Sequence, residues 1–301
     1  MPASPLRLPA YVDFRPLGRC NLSCPFCFGP RHEIPTMSER DAFRVVDVLR
    51  EAGVRGVVVS GGEPTLLPYL ADLLAGLGDR NHPSGTDAPR VVLSTNGLAP
   101  LPAMRRVLPH LSWIALPLES ADASEHAALR TGVAPHRERV LALLKEVRRH
   151  HQAVKVKLGT VITRRNLGGA SEVLQLIQDD DCLPDVWKIY QMSETNYGAD
   201  NSDWLSVSEW EFEEALSRCE KAAAYRGVTL EVYRNKTRSG TYLFIDPDCQ
   251  VVVIKDAAEY RIGHLFEERE AVARGIGDMV ASDSNADNFS RTYPDLPGGV
   301  T

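Results

Sequence analysis

Cys20-Asn21-Leu22-Ser23-Cys24-Pro25-Phe26-Cys27 places three thiols within eight residues, directly after the strand-like run Tyr11-Val12-Asp13-Phe14-Arg15. Three cysteines on one tight loop form a metal-binding arrangement whose chemistry depends on the number of ligands. If the loop supplies three ligands to a four-iron cubane, one iron keeps an open position that a small molecule can chelate. A structural zinc ion instead wants a fourth Cys or His to close its tetrahedron, and His32 is the near candidate. Cys182, Cys219 and Cys249 are scattered, too few for a second cluster, and read as small buried apolar residues.

Working outward from that loop, short β-branched runs alternate with amphipathic stretches, the pattern of parallel strands joined by helical crossovers. Strands are predicted near 11–15, 54–59, 90–94, 112–118, 153–162 and 185–190. Helices are predicted near 38–52, 66–77, 101–109, 135–151 and 168–180, with Ser38 ahead of Glu39 and Asp41 as a helix start. The fold class is therefore α/β, a partial (βα)6 TIM-type barrel over residues 1–190, with an α+β extension over 191–301 that covers the barrel mouth. Within the extension a helix is expected near 207–225 and strands near 228–233, 241–246 and 249–254. The segment ASDSNADNFSRTYPDLPGGVT, rich in Asp, Asn, Ser, Pro and Gly, reads as a loop-like tail.

A chain of 301 residues, 44% apolar, can bury one barrel-sized core. Against 40 acidic residues it carries 34 Lys and Arg, a formal charge of −6, which argues against a broad nucleic-acid surface. No apolar run is long enough to cross a bilayer, and MPASPLRLPA lacks the basic start and apolar stretch of a secretion signal, so the cytoplasm is the expected compartment.

In a parallel barrel, functional groups gather at the carboxyl ends of the strands. The cysteines follow the first strand, Ser60-Gly61-Gly62-Glu63-Pro64 the second, Ser94-Thr95-Asn96-Gly97 the third, and Glu119-Ser120 the fourth. Ser94, Asn96 and Glu119 are candidate cofactor contacts, a plain capping turn being the alternative for Ser94 to Gly97. In the fifth strand, alternation turns Val154, Val156 and Leu158 to the helices and Lys155, Lys157 and Gly159 inward. In the sixth, Lys188 shares the inward face with Val186 and Tyr190. Inward lysines need an anion or hydrogen-bond partners, so the mouth suits a small anionic substrate unless the lysines pair internally with acids such as Glu63 or Glu119.

The spacing of three and then two residues between the cysteines, with Phe26 before the last one, resembles the signature of the radical S-adenosylmethionine (SAM) superfamily, and Gly61-Gly62-Glu63-Pro64 resembles its GGEP motif. That resemblance implies a 4Fe-4S cluster on Cys20, Cys24 and Cys27, which reductively cleaves SAM to a hydrogen-abstracting radical. It also implies that Phe26, Gly61, Gly62, Glu63 and Pro64 hold SAM, and that a flavodoxin or ferredoxin supplies the electron.

The second half is similar to the viperin group, which converts CTP or another nucleoside triphosphate into a 3′-deoxy-3′,4′-didehydro product. The matching blocks are Trp187-Lys188-Ile189-Tyr190-Gln191, Leu205 to Phe212 and Thr241-Tyr242-Leu243-Phe244-Ile245-Asp246. By this resemblance Lys157 and Lys188 are substrate-pocket residues, Tyr242 and Lys157 candidate catalytic donors near the sugar, and Arg130 a SAM contact. Gly159 and Val186 stand where that family has Asn and Arg. The family's basic carboxyl-terminal segments are reduced to Lys255, Arg261 and Arg291, with Arg31 and His32 as candidate compensating groups. Two other readings remain: a radical SAM enzyme of natural-product biosynthesis acting on another nucleoside, sugar or peptide, and a zinc or metal-sensing protein.

Overall fold

The computed structural model describes residues 6–294 apart from 134, 179, 238 and 257. Seven strands run parallel in chain order: β1 (Tyr11–Phe14), β2 (Gly56–Val59), β3 (Arg90–Ser94), β4 (Trp113–Pro117), β5 (Lys155–Ile162), β6 (Val186–Gln191) and β7 (Thr229–Tyr233). β8 (Leu243–Ile245) pairs parallel with β1 on the opposite side, and the antiparallel β9 (Gln250–Lys255) and β10 (Ala258–His264) extend the sheet beyond it. Helices α1 (Glu39–Glu51), α2 (Leu70–Gly78), α3 (Leu101–Val107), α4 (Ala123–Leu129) and α5 (His136–His150) fall within the crossovers between β1 and β5. Short α6 (Tyr197–Asp200) and α7 (Ser202–Leu205) precede the long α8 (Glu209–Arg226). They are followed, after β10, by α9 (Arg269–Met279) and α10 (Ser282–Thr292).

The sheet curls into an open barrel. Laid flat, β8 and β7 would lie seven strand spacings apart, about 34 Å. Instead the rings of Tyr233, ending β7, and Tyr242, preceding β8, are 5.4 Å apart and perpendicular. The curl follows from the alternation along each strand. Val12, Phe14, Val156, Leu158, Trp187 and Ile189 join the helix-packed core, while Asp13, Lys157 and Lys188 line the interior. Cys182, Cys219 and Cys249 lie in that outer core as expected.

Several elements differ from the sequence expectation. β7 falls in the segment expected to be the extension, but it pairs with β6 and continues the parallel sheet. The predicted helix near 66–77 is broken into a 3-10 turn, Pro64–Leu66, and α2, because Pro68 forces Leu67 into extended backbone. The predicted helix at 168–180 is a 3-10 helix, Ala170–Leu176. Asp180 and Asp181, which would sit at the carboxyl end of the longer helix, oppose its dipole.

The largest correction concerns the expected tail. Residues 282–292 form α10, which stoppers the amino end of the barrel rather than covering its mouth. Phe289 stacks on Tyr11 with centroids 3.7 Å apart, and Tyr293 meets Trp113 edge-on at 5.2 Å. The two rings close an inner cluster with Val92 and Val186. Buried Asn285 accepts from the Tyr11 amide and donates to the carbonyls of Tyr11 and Thr241, tying the plug to β1 and to the segment leading into β8. The remainder of the tail, 295–301, lies outside the described residues.

Candidate active site

Three sulfurs meet at the carboxyl end of β1, each within the electrostatic reach of the others. Each is offered an N–H group. The Leu22 amide lies 3.4 Å from Cys20 Sγ, the Gly29 amide 3.3 Å from Cys27 Sγ, and Arg130 Nη1 3.7 Å from Cys24 Sγ. Leu22, Phe26, Leu98, Leu129, Met192 and Leu205 wrap the loop in apolar surface. Burial pushes the Cys24 thiol up to about 12 and raises Cys20 as well, so as free thiols both hold their protons at neutral pH. Iron would displace those protons. Among the described residues no three Cys, His, Asp or Glu side chains close around a single ion, and His32 turns to the Tyr197 ring, 5.2 Å away. Three neighbouring thiols are the donor set of a cubane whose fourth iron is left to a small molecule.

The two glycines after β2 are steric necessities. A Cβ on Gly62 would stand 2.2 Å from the Arg19 carbonyl oxygen, and one on Gly61, whose φ is +122°, would stand 2.5 Å from that of Leu17. The same approach forms two hydrogen bonds, Gly62 N–H to Leu17 O at 2.8 Å and Glu63 N–H to Arg19 O at 3.0 Å, which stitch this turn to the cysteine loop.

Glu63 is buried and committed to the protein. Its carboxylate accepts from Thr65 N and Oγ1, from Thr95 Oγ1 at 2.7 Å and from Asn96 N at 2.7 Å, against a burial that pushes its pKa up. It therefore locks the loop after β3 to the loop after β2 and lines neither cavity described below. Glu119 likewise accepts from the Val161 amide at 2.7 Å and from Arg130 Nε at 2.9 Å. Arg130 in turn lies 5.0 Å above the Phe26 ring. Asn96 Nδ2 donates to Asn21 Oδ1 of the cysteine loop at 2.7 Å. Of the residues expected to contact SAM, Gly61, Gly62, Ser94 and Arg130 line open space, whereas Phe26, Glu63, Pro64, Asn96 and Glu119 line neither cavity.

A buried histidine pair, not singled out in the sequence, completes this scaffold. His126 Nδ1 accepts from the Glu119 amide at 3.3 Å, its Nε2 meets His136 Nδ1 at 2.8 Å, and His136 Nε2 reaches the Asn96 carbonyl at 2.9 Å. The relay is complete only when both rings are neutral. Burial, then the neighbouring His136 and Arg130 charges, holds His126 down at about 3; burial and Arg130 hold His136 at about 4.

Two cavities open from this scaffold. One, about 230 Å³, is bounded by Cys27, Gly62, Thr95, Pro117 and Arg130. The other, about 240 Å³, runs down the barrel past Asp13, Arg15, Lys188, Tyr233 and Tyr242 to Asn288, Phe289 and Tyr293 of the plug. Ser60, Gly61, Ser94, Lys157 and Tyr190 line both, so the two are neighbours. Lys157 Nζ donates to the Tyr190 hydroxyl at 2.9 Å and lies 5.2 Å from the Tyr293 ring. Lys188, fully buried, donates to Thr292 Oγ1 of the plug. Tyr242 stacks on Phe244, with Arg15 3.5 Å above the latter.

Lys155 and Arg31 do not join this group. Lys155 begins β5 and pairs with Asp185 at 3.2 Å, because the inward alternation there falls at the strand's amino end. Arg31 pairs with Asp200 at the surface. Lys255, Arg261 and Arg291 are held by the Asp278 carbonyl, Asp248 and Asp287. Asp13, Arg15, Ser60 and the α10 residues were missed. The alternation Tyr11-Val12-Asp13-Phe14-Arg15 was the signal available for the first two.

Comparison with known proteins bears on this geometry. The family model described as the radical SAM superfamily matches residues 14–177, more than half of the chain. The chain belongs to the radical SAM superfamily. This radical SAM enzyme is 25% identical over 252 residues to the S-adenosylmethionine-dependent nucleotide dehydratase of Flammeovirga pacifica, covering 78% of this chain and 79% of that one. It is 35% identical over 126 residues to a GTP 3′,8-cyclase of Synechococcus sp., covering 38% of this chain and 36% of that one. Among solved structures its fold matches SuiB of Streptococcus suis bound to its precursor peptide, with a TM-score of 0.66 and 16% identity. That match covers 89% of this chain and 64% of SuiB. It also matches anSMEcpe with bound AdoMet at a TM-score of 0.66 and 15% identity, over 94% and 88% of the two chains. The partial barrel is thus the superfamily's fold. No described helix is long and apolar enough to cross a membrane.

Proposed function

We propose that this enzyme is a nucleotide dehydratase that binds a 4Fe-4S cluster on Cys20, Cys24 and Cys27 and takes a nucleoside triphosphate such as CTP to a 3′-deoxy-3′,4′-didehydro product. The observation that carries the reading is the adjacency of two cavities that share five lining residues, one against the cysteine loop and one lined by cations and aromatic rings. It is supported by the dehydratase relative. When bound, the cluster supplies the electron for reductive cleavage of SAM.

The remaining work falls to the chain's own side chains. Gly61 and Gly62 admit SAM against the backbone, Arg130 and Ser94 border it, and the Glu63, Glu119 and histidine contacts keep those loops in register. Lys157 and Lys188 are preorganised cations, held by Tyr190 and Thr292 before substrate arrives. Tyr242 and Lys157 are the candidate proton donors to the sugar. Rings from Phe28, Tyr190, Tyr233, Phe244 and Phe289 exclude water around them. On this reading the enzyme works in the cytoplasm with a flavodoxin- or ferredoxin-type reductant.

One observation favours the alternative of another nucleoside or sugar. Arg15, Lys157 and Lys188 are the cations lining the deep cavity, and Arg15 is already 3.4 Å from Asp246. Anaerobic reconstitution decides between them by measuring 5′-deoxyadenosine formation with the four nucleoside triphosphates, nucleoside monophosphates and nucleotide sugars. The dehydratase reading expects stimulation by a triphosphate. Stimulation by none above the uncoupled background refutes it.

A further inference from the structure

Asp13 stands alone among the residues lining the two cavities in being an acid. It sits in the middle of β1, in register with Val58 on one side and Phe244 on the other, and its side chain turns into the barrel. One carboxylate oxygen accepts from the Ser60 hydroxyl and lies 4.0 Å from Arg15 Nε. The other has no hydrogen-bond partner among the described residues. Ser60 and Lys157 line both cavities, and the charge of Lys157 reaches Asp13, which places the carboxyl at the junction between them.

An acceptor oxygen at this point suits O–H and N–H donors rather than phosphate oxygens, which are acceptors themselves. A polyanionic substrate must therefore keep its phosphates away from Asp13 and present O–H or N–H groups to it. The part of a nucleotide that meets the cofactor cavity is the part that reacts, and in the proposed reaction that part is the sugar. A carboxylate with a free oxygen is a natural acceptor for ribose hydroxyls, as it is in dinucleotide-binding sites.

We infer that Asp13 is a specificity-determining residue that accepts hydrogen bonds from the substrate's ribose hydroxyls and so selects a ribonucleotide over its deoxy counterpart. This rests on the nucleotide reading above. It explains why a cavity lined by Arg15, Lys157 and Lys188 keeps a carboxyl group at the junction: the acid orients the sugar edge-on to it and leaves the charged end to the cations.

Affinities of the reconstituted, SAM-loaded holoenzyme for ATP, CTP, GTP and UTP and their 2′-deoxy counterparts, measured anaerobically by calorimetry, test it. The wild type is expected to bind at least one ribonucleotide about 10- to 100-fold more tightly than its deoxy form, the range for a hydrogen bond to a charged group. In Asp13→Asn the gap shrinks to about threefold or less, through weaker ribonucleotide binding, while SAM affinity and melting temperature stay near wild type. Asp13→Ser gives the same reading should the amide variant not fold. A purely structural role would not move the ribo/deoxy ratio. Full discrimination in Asp13→Asn, or none in a wild type that binds both forms, overturns the role of Asp13 and leaves the nucleotide reading standing. A wild type that binds no nucleotide overturns both.

Discussion

Lowering the pH from 7.5 to 5.0 should destabilise this enzyme by a definite amount through His126 and His136. In the unfolded chain each imidazole titrates near 6.5, while in the fold burial and nearby cations depress them to about 3 and about 4. Their folded pKa values lie below the unfolded ones, so the unfolded state binds more protons. The stability they contribute is present above pH 6.5 and is lost as pH falls toward the folded values. At pH 5.0 the loss is 1.5 pH units at about 1.36 kcal/mol each, about 2 kcal/mol per ring and about 4 kcal/mol for the pair.

Urea unfolding of wild type and of His126→Gln/His136→Gln at both pH values measures it. Asp13, Glu63 and Asp246, whose burial raises their pKa values, act in the opposite direction but equally in both proteins, and cancel in the comparison. The double variant should be less stable at pH 7.5 yet lose about 4 kcal/mol less on acidification. Equal pH dependence in the two proteins would refute the neutral relay between the Glu119 amide and the Asn96 carbonyl.

Other outcomes are expected at single positions. Cys24→Ala should lose iron and SAM cleavage while its far-ultraviolet circular dichroism is retained, since the loop lies on the rim; loss of secondary structure would make the cysteines structural. Gly62→Ala, driving a methyl into the Arg19 and Gly18 carbonyls at 2.2 and 2.3 Å, should cost about 2 kcal/mol and reduce iron content, read by denaturation and iron assay. Lys188→Ala should weaken substrate binding about tenfold or more without changing cluster content, and unchanged affinity would count against an anion-binding barrel. Phe289→Ala, deleting the ring stacked on Tyr11, should cost about 3 kcal/mol and raise the Kd for substrate, a result thermal melting and calorimetry can separate.

The cysteine loop, the Gly-Gly turn and the two-residue alternation of β5 and β6 were legible because each is a local pattern with one dominant physical cause. Lys157 and Lys188 could be placed in the interior from alternation alone. Lys155 could not, because alternation reports which face a residue takes and not how far along the strand it lies. The protein partners of Glu63 and Glu119 were hidden for a related reason. An acid at a strand's carboxyl end reads as a ligand, but the donors that saturate it come from segments distant in the chain, such as Thr95 and Asn96 for Glu63 and Val161 for Glu119. Hydrophilic α10 was hidden because its one large apolar side chain is Phe289, with Ala286 beside it and Tyr293 just past its end, amid Asp, Asn and Ser. Two rings suffice to seal a barrel end that a compositional reading assigns to solvent.

That seal also bounds the chamber. With α10 wedged beneath Tyr11, Trp113 and Val186, its Asn288, Phe289 and Thr292 form the floor of the deep cavity, opposite the cysteine side. A deletion reaching residue 282 would pull that floor and expose to water, from below, the very interior in which a radical must survive.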